Sequence, residues 1–180
     1  MKPDQSNVRP ITIMKLEMLK LEDAHELFEL TVENRTYLRK WLPWVDGVQG
    51  VSDTEEFIRI SLTGYEANEL VTYAIWQEQT LVGICGFNKL IWEEKMGYIG
   101  YWLGEKFQGQ GLMSRACLEL EKIALNELGI QKLDIRAAEL NRPSRAIPER
   151  LGYVEKRTIP DAEWLYDHHV NHVVYEKDLI

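Results

Sequence analysis

Apolar and polar residues alternate in the segments that we predict to be strands. Met14, Leu16 and Met18 alternate with Lys15 and Glu17, which is the two-residue period of a half-buried strand. Later segments are rich in β-branched and aromatic residues, and the short polar turns between several of them predict antiparallel hairpins. We predict these later strands at residues 70–76, 81–87, 96–103, 133–137, 153–159, 163–166 and 170–177.

Apolar residues at three- and four-residue intervals predict the helices. Ser52 and Glu55 have the spacing of a capping box, and Asn141 is suited to cap a short helix that Gly152 closes. We predict helices over residues 22–38, from residue 52, from residue 112 towards Gly129 and over residues 141–152. The order of strands and helices predicts an α+β or mixed α/β layered fold.

The length and composition indicate one globular domain. The chain has 180 residues, of which 45% are hydrophobic and 28% charged, and this is enough to bury a core without metal or disulfide. We expect residues 1–10 to form a flexible N-terminal arm and residues 11–180 to form a single domain. Cys85 and Cys117 lie in a predicted strand and on the apolar face of a predicted helix, so we expect reduced core residues.

The negative net charge of the chain disfavours anionic binding partners. A formal net charge of −8 repels nucleic acid and anionic membranes at long range, so we expect neither as a partner. No apolar run approaches the length of a membrane span, and the N-terminus lacks the pattern of a signal peptide. We therefore expect a cytoplasmic protein.

The most informative motif runs from Gln108 to Ser114 and has glycines at positions 109 and 111. It lies between a predicted strand and an amphipathic helix. Glycine turns bring several backbone N–H groups together, and a helix N-terminus adds free N–H groups and a positive partial charge. The motif therefore predicts an anion site that suits a pyrophosphate.

Two common phosphate loops do not fit this motif. A triphosphate loop needs Lys followed by Ser or Thr after the last glycine, whereas Leu112 and Met113 follow here. A dinucleotide loop needs a third glycine where Met113 stands. The stretch from Gln108 to Gly111 instead resembles the Gln/Arg-x-x-Gly-x-Gly/Ala loop of the GCN5-related N-acetyltransferases, although Met113 replaces a small residue.

A second motif strengthens the resemblance. The segment from Asn141 to Tyr153 is similar to the second acetyltransferase signature, with Asn at a helix start and an aromatic residue after Leu-Gly. The resemblance implies the GNAT acyl-CoA N-acyltransferase fold, an α/β (α+β) arrangement whose mixed, mostly antiparallel central sheet is flanked by helices. It also implies acetyl-CoA as co-substrate, bound by Trp102, Leu103, Gln108, Gly109, Gln110, Gly111, Leu112, Met113, Ser114, Asn141 and Ser144.

The catalytic residues implied by the resemblance belong to one subgroup. Many members have a tyrosine four residues before the closing glycine that protonates the leaving thiolate, but this chain has Pro148 there. The chain resembles the ribosomal-protein N-terminal acetyltransferases, which often lack that tyrosine. That resemblance implies Ser144 as acid and Glu163 as base. A serine at a helix start also satisfies backbone N–H groups, and the thiolate can leave unaided or through a water, so the acid stays open.

The acceptor is the least determined feature. Direct acetyl transfer needs no metal, and His168, His169 and His172 do not share one face of a strand, so we expect no metal site. Trp41, Trp44 and Trp164 are candidate acceptor-binding residues, and aromatic surface near Trp41 suits a homo-oligomer, with a dimer favoured. We expect an N-acetyltransferase whose acceptor is a protein N-terminus of ribosomal-protein type. Alternatives are a small amine such as a polyamine, antibiotic or amino acid, and a non-catalytic acyl-CoA sensor.

Overall fold

A computed structural model describes residues 13–180, so the arm expected at residues 1–10 lies outside the described residues. The strands form one seven-stranded sheet in the order β1-β2-β3-β4-β5-β7-β6. Their bounds are β1 Met14–Met18, β2 Val71–Gln77, β3 Thr80–Ile91, β4 Met96–Leu103, β5 Lys132–Ala138, β6 Val154–Leu165 and β7 His168–Asp178. The helices are α1 Ala24–Glu33, α2 Arg35–Leu38, α3 Val51–Glu66, α4 Leu112–Asn126 and α5 Arg142–Arg150.

The pairing of β4 with β5 opens a gap in the sheet. These two strands run parallel, whereas the other neighbouring strands of residues 13–180 pair antiparallel. Pairing extends from Met96–Lys132 only as far as Ile99–Ile135, although both strands continue for several residues. The two strands therefore diverge at their C-terminal ends. The expectation of a mixed, mostly antiparallel sheet flanked by helices is confirmed.

Helices cover both faces of the sheet. On one face, α1 and α3 pack against β2 and β3 through a buried cluster that includes Leu27, Ile58 and Ala74. On the other face, α4 buries most of the apolar residues whose spacing predicted it, Leu120 among them, while Ile123 is only partly buried. Complete burial of one such leucine contributes about 1.5–3 kcal/mol. Within residues 13–180, none of the helices has the length and apolar character needed to cross a membrane.

The single helix expected over residues 22–38 is interrupted. A 3-10 turn at Leu21–Asp23 precedes α1, and Asn34 separates α1 from α2. The Asn34 side chain donates to Leu30 O at 2.8 Å and accepts from Glu105 N at 2.8 Å. Asn34 thus links this corner of the chain to the segment after β4, a long-range contact that no helical period reveals.

The capping box expected at Ser52 and Glu55 is wrong. Gly50 is the N-cap of α3, and the Asp53 carboxylate accepts from Gln49 N at 2.8 Å and from Gly50 N at 2.9 Å. An aspartate in the third helical position can reach back to N–H groups before the helix. These two hydrogen bonds lower the pKa of Asp53 and start α3 one residue before Ser52.

Candidate functional site

A cavity of about 390 Å³ lies where β4 and β5 diverge. The C-terminal residues of β4 form one wall, and the glycine loop, α4 and α5 form others. The chain after α2 closes the remaining side. The lining residues are Tyr37, Leu38, Trp41, Leu42, Tyr101, Trp102, Leu103, Phe107, Gln108, Gly109, Gly111, Leu112, Met113, Ser114, Asn141, Pro143, Ser144, Ala146, Ile147 and Arg150.

The glycine loop has the backbone shape that its sequence predicted. Gly109 has a φ of 71° and Gly111 a φ of 74°. Residues with a side chain adopt such values only at an energetic cost, whereas glycine adopts them readily. Gly111 is the N-cap of α4, and the first hydrogen bond of this helix runs from Arg115 N to Gly111 O. The N–H groups of residues 112–114 therefore precede the helical ladder and are suited to bind an anion.

The loop is held in place by side-chain contacts on both sides. Gln108 Nε2 donates to the Tyr37 hydroxyl at 2.5 Å, which links the loop to α2. The Gln110 side chain instead hydrogen-bonds Gln77 on β2 at 3.2 Å. Of the residues predicted to bind the cofactor, Gln110 alone does not line the cavity of the described chain, whereas the loop glycines do.

On the α5 side of the cavity, the Ser144 carbonyl is left free by Pro148 and accepts a hydrogen bond from Tyr101. Asn141 Oδ1 accepts from Ser144 N at 3.3 Å, as expected for an N-cap. Pro148 has no N–H to bond the Ser144 carbonyl one turn earlier, and the Tyr101 hydroxyl donates to that carbonyl at 3.0 Å. Burial raises the pKa of Tyr101 above its ordinary value, so this hydroxyl stays protonated at neutral pH and acts as a donor.

The buried cysteines provide no nucleophile. Burial raises the pKa of Cys117 to about 12 and raises the pKa of Cys85 well above its usual range. Both therefore stay as neutral thiols at pH 7. They pack in the core between the sheet and α4. The reduced state expected for them fits this environment.

Glu163 lies on β6, outside the cavity lining. Its Oε2 is 3.4 Å from His172 Nε2 on β7, and the two side chains are 31% and 21% exposed. Three residues further on, the Tyr166 hydroxyl donates to Leu42 O at 2.6 Å, and Leu42 lines the cavity. This hydrogen bond joins the β6–β7 hairpin to the cavity rim.

The three candidate tryptophans have different surroundings. Trp41 lines the cavity, and Trp44 packs on Trp102 with ring centroids 6.1 Å apart. Trp164 is 54% exposed and contacts the His169 ring edge-on. The histidines also have separate partners, and no group of three or more His, Cys, Asp or Glu side chains suited to a metal occurs within residues 13–180.

Nine of the residues that line the cavity were not predicted from the sequence, and three of these, Tyr37, Tyr101 and Arg150, make side-chain hydrogen bonds there. Arg150 Nη2 donates to Ser114 Oγ at 3.2 Å, which joins the end of α5 to the start of α4. Only the packing of α4 beside α5 brings these two residues together, so no local pattern indicated the contact.

Comparisons with known proteins agree with this geometry. A sequence model described as acetyltransferase (GNAT) domain matches residues 14–154. The chain is 30% identical to "Putative ribosomal N-acetyltransferase YdaF" of Bacillus subtilis (strain 168), over 89% of this chain and 88% of the relative. It is 29% identical to the ribosomal-protein-serine acetyltransferase of Escherichia coli (strain K12), over 87% and 90%. Its fold is similar to that of a ribosomal L7/L12 α-N-protein acetyltransferase solved with coenzyme A, with a TM-score of 0.89, 24% identity and coverage of 93% and 94%.

Proposed function

Because the chain belongs to the acetyltransferase (GNAT) family, we propose that it transfers acetyl groups from acetyl-CoA to a protein N-terminal amine of ribosomal-protein type. The observation that carries this proposal is that one and the same cavity is lined by the glycine loop and by Asn141 and Ser144, beside the β4–β5 gap. The names of the relatives from B. subtilis and E. coli support the acceptor class. We assign the activity to residues 11–180 as one domain.

The cofactor would extend along the cavity from the loop to α5. The N–H groups at the start of α4 would hold the pyrophosphate, and the largely apolar and aromatic lining suits the pantetheine arm. This places the thioester near Ser144 and the end of β4. Backbone N–H groups of Trp102 or Leu103 would then polarise the thioester carbonyl, since this part of β4 has no pairing with β5.

The reaction proceeds by direct transfer in a ternary complex. The neutral amine attacks the thioester carbonyl carbon, a C–N bond forms, and the C–S bond breaks. Glu163, directly or through a water, takes the proton from the amine nitrogen. The thiolate sulfur receives a proton from the Ser144 hydroxyl or from a water. The contact of Glu163 with His172 holds the carboxylate in place, and the link from Tyr166 to Leu42 supports a position near the cavity rim.

We also propose that the protein acts in the cytoplasm as a homo-oligomer, with a dimer favoured. Trp44, which packs on Trp102 beside the cavity, is 41% exposed, and an exposed tryptophan of this kind suits an association surface. Light scattering at several protein concentrations tests the oligomer. A constant monomer mass at all of them contradicts it.

A thiol-release assay tests the function. The protein is incubated with acetyl-CoA and a peptide with a free N-terminus, and the same peptide with a blocked N-terminus is the control. We expect coenzyme A release well above background only with the free N-terminus. Release with a polyamine but not with the peptide would assign the acceptor to small amines. No release with any amine would support the sensor alternative instead.

A further inference from the structure

We infer that Arg150 binds the pyrophosphate of the cofactor, an inference that rests on the proposed use of acetyl-CoA. Arg150 is the last residue of α5, and its guanidinium reaches across to the first turn of α4. The hydrogen bond from Nη2 to Ser114 Oγ is 3.2 Å long. Ser114 is the third residue of α4, so the guanidinium lies beside the N–H groups that precede the helical ladder.

The charge of the cavity supports this assignment. Among the lining residues that the structure describes, Arg150 is the only one with a charged side chain. The chain has a net charge of −8, so at long range it repels an anionic cofactor. A cation beside the glycine loop would offset that repulsion where the phosphates bind. Guanidinium groups also match phosphate oxygens with paired hydrogen bonds.

Arg150 is also available for a ligand, whereas a nearby arginine is not. Arg145, on the same helix, donates to the Tyr175 hydroxyl at 2.8 Å, to Glu139 O at 3.0 Å and to the Glu155 carboxylate at 3.2 Å. Arg150 is exposed and hydrogen-bonds the neutral hydroxyl of Ser114. Within residues 13–180 it forms no ion pair with a carboxylate. A phosphate could therefore replace or join the hydroxyl without breaking an existing charge pair.

A purely structural role is the competing explanation. A cation in the last turn of a helix interacts favourably with the helix dipole, and the Ser114 contact joins two helices. Such a role predicts lower stability in an Arg150 variant without any selectivity towards phosphate groups of the ligand. Affinities measured for ligands with and without the pyrophosphate separate the two roles.

The experiment measures binding by calorimetry for the wild type, Arg150→Gln, Arg150→Lys and the control Arg142→Gln. Arg142 is exposed, carries the same charge, lies on the same helix and does not line the cavity. The ligands are coenzyme A, dephospho-coenzyme A, which keeps the pyrophosphate but lacks the 3′-phosphate, and pantetheine, which lacks both. Melting temperatures without ligand establish that each variant is folded.

We expect Arg150→Gln to weaken the binding of coenzyme A and dephospho-coenzyme A by the same factor, at least about tenfold, and to leave the affinity for pantetheine unchanged. Arg150→Lys keeps the charge without the paired guanidinium hydrogen bonds and should lose less affinity, and Arg142→Gln should bind as the wild type does. Unchanged affinity for coenzyme A in folded Arg150→Gln, or an equal loss for pantetheine, overturns the inference, and a loss confined to coenzyme A overturns the assignment to the pyrophosphate. The proposed function fails separately, if the wild type itself binds none of the three ligands.

Discussion

Pro148 changes both the chemistry and the hydrogen bonding of the site. The acetyltransferase signature that this segment resembles often has a tyrosine at this position, so in the proposed reaction another group protonates the leaving thiolate. Pro148 also lacks the N–H that would donate to the Ser144 carbonyl. The Tyr101 hydroxyl donates to that carbonyl oxygen instead, at 3.0 Å. Ser144 is thus positioned from two sides, by Tyr101 at its carbonyl and by Asn141 at its N–H.

Because the Tyr101 hydroxyl substitutes for the N–H that Pro148 lacks, we expect the effects of substitutions at these two positions on stability to be coupled. Tyr101→Phe leaves the Ser144 carbonyl without its donor, and we expect the free energy of unfolding to fall by about 1–2 kcal/mol. In a Pro148→Ala background, the alanine N–H can bond this carbonyl, so the same change should cost about 1 kcal/mol less. Denaturant unfolding of the four proteins in this double-mutant cycle measures the coupling. Equal losses of unfolding free energy in both backgrounds would show that the Tyr101 hydroxyl does not substitute for the missing N–H.

Glu163 is the residue that we propose as general base. Glu163→Gln keeps the shape of the side chain but cannot accept the proton from the amine, so kcat should fall by about 100-fold or more. The affinity for acetyl-CoA should stay close to that of the wild type, because Glu163 does not line the cavity. Steady-state kinetics and calorimetry measure the two effects.

The matched control is Asp161→Asn on the same strand. Asp161 is exposed and has a φ of 48°, which asparagine tolerates well. The Asp161→Asn substitution removes a carboxylate two residues from Glu163 and should leave kcat unchanged. If Glu163→Gln turns over at the wild-type rate, Glu163 is not the base.

At the scale of elements, the loop and the start of α4 together form the anion site that we propose. The sequence predicted this unit because its determinants are local: glycines, a preceding strand and an amphipathic helix. The capping of α5 by Asn141 was also predicted from local signals. The break at Asn34 and the contact of Arg150 with Ser114 were not predicted, because each depends on a partner distant in sequence.

Gly111→Ala tests whether the loop needs its left-handed backbone. Added Cβ atoms at Gly111 and at Gly47 would both meet nothing within 4 Å, but only Gly111 has a positive φ, 74°. We expect Gly111→Ala to destabilise the fold by about 1–2 kcal/mol and to weaken acetyl-CoA binding. Gly47→Ala should change neither by a comparable amount. Equal effects of both substitutions on unfolding and binding contradict this role of the loop.

At the scale of the whole molecule, the gap between β4 and β5 determines where the cavity forms. The strand segments were accessible from the apolar periods, except that the two strands expected at residues 153–159 and 163–166 form the single strand β6, which has an irregularity between Ile159 and Glu163. The point where pairing stops, Ile99–Ile135, was not accessible, since it depends on how α4 and α5 pack on the sheet. The cavity therefore emerges only from the assembled fold, although the motifs on its walls were visible in the sequence.

Ligand binding should stabilise this assembled fold. Acetyl-CoA at about 100 times its Kd contributes about 2.7 kcal/mol, which corresponds to a rise of roughly 5–10 °C in melting temperature for a chain of this size. A thermal melt with and without acetyl-CoA measures the rise, and pantetheine, which lacks the phosphates, should produce a smaller one. No change at saturating acetyl-CoA contradicts the cofactor assignment.

The most direct test of the proposed function is the identity of the acetylated group. A cell extract is incubated with the protein and isotope-labelled acetyl-CoA, and mass spectrometry then locates the label. The account predicts label on the N-terminal α-amine of a small set of polypeptides, ribosomal proteins among them, and its loss with Glu163→Gln. Label confined to small amines, with none on any polypeptide N-terminus, would contradict it.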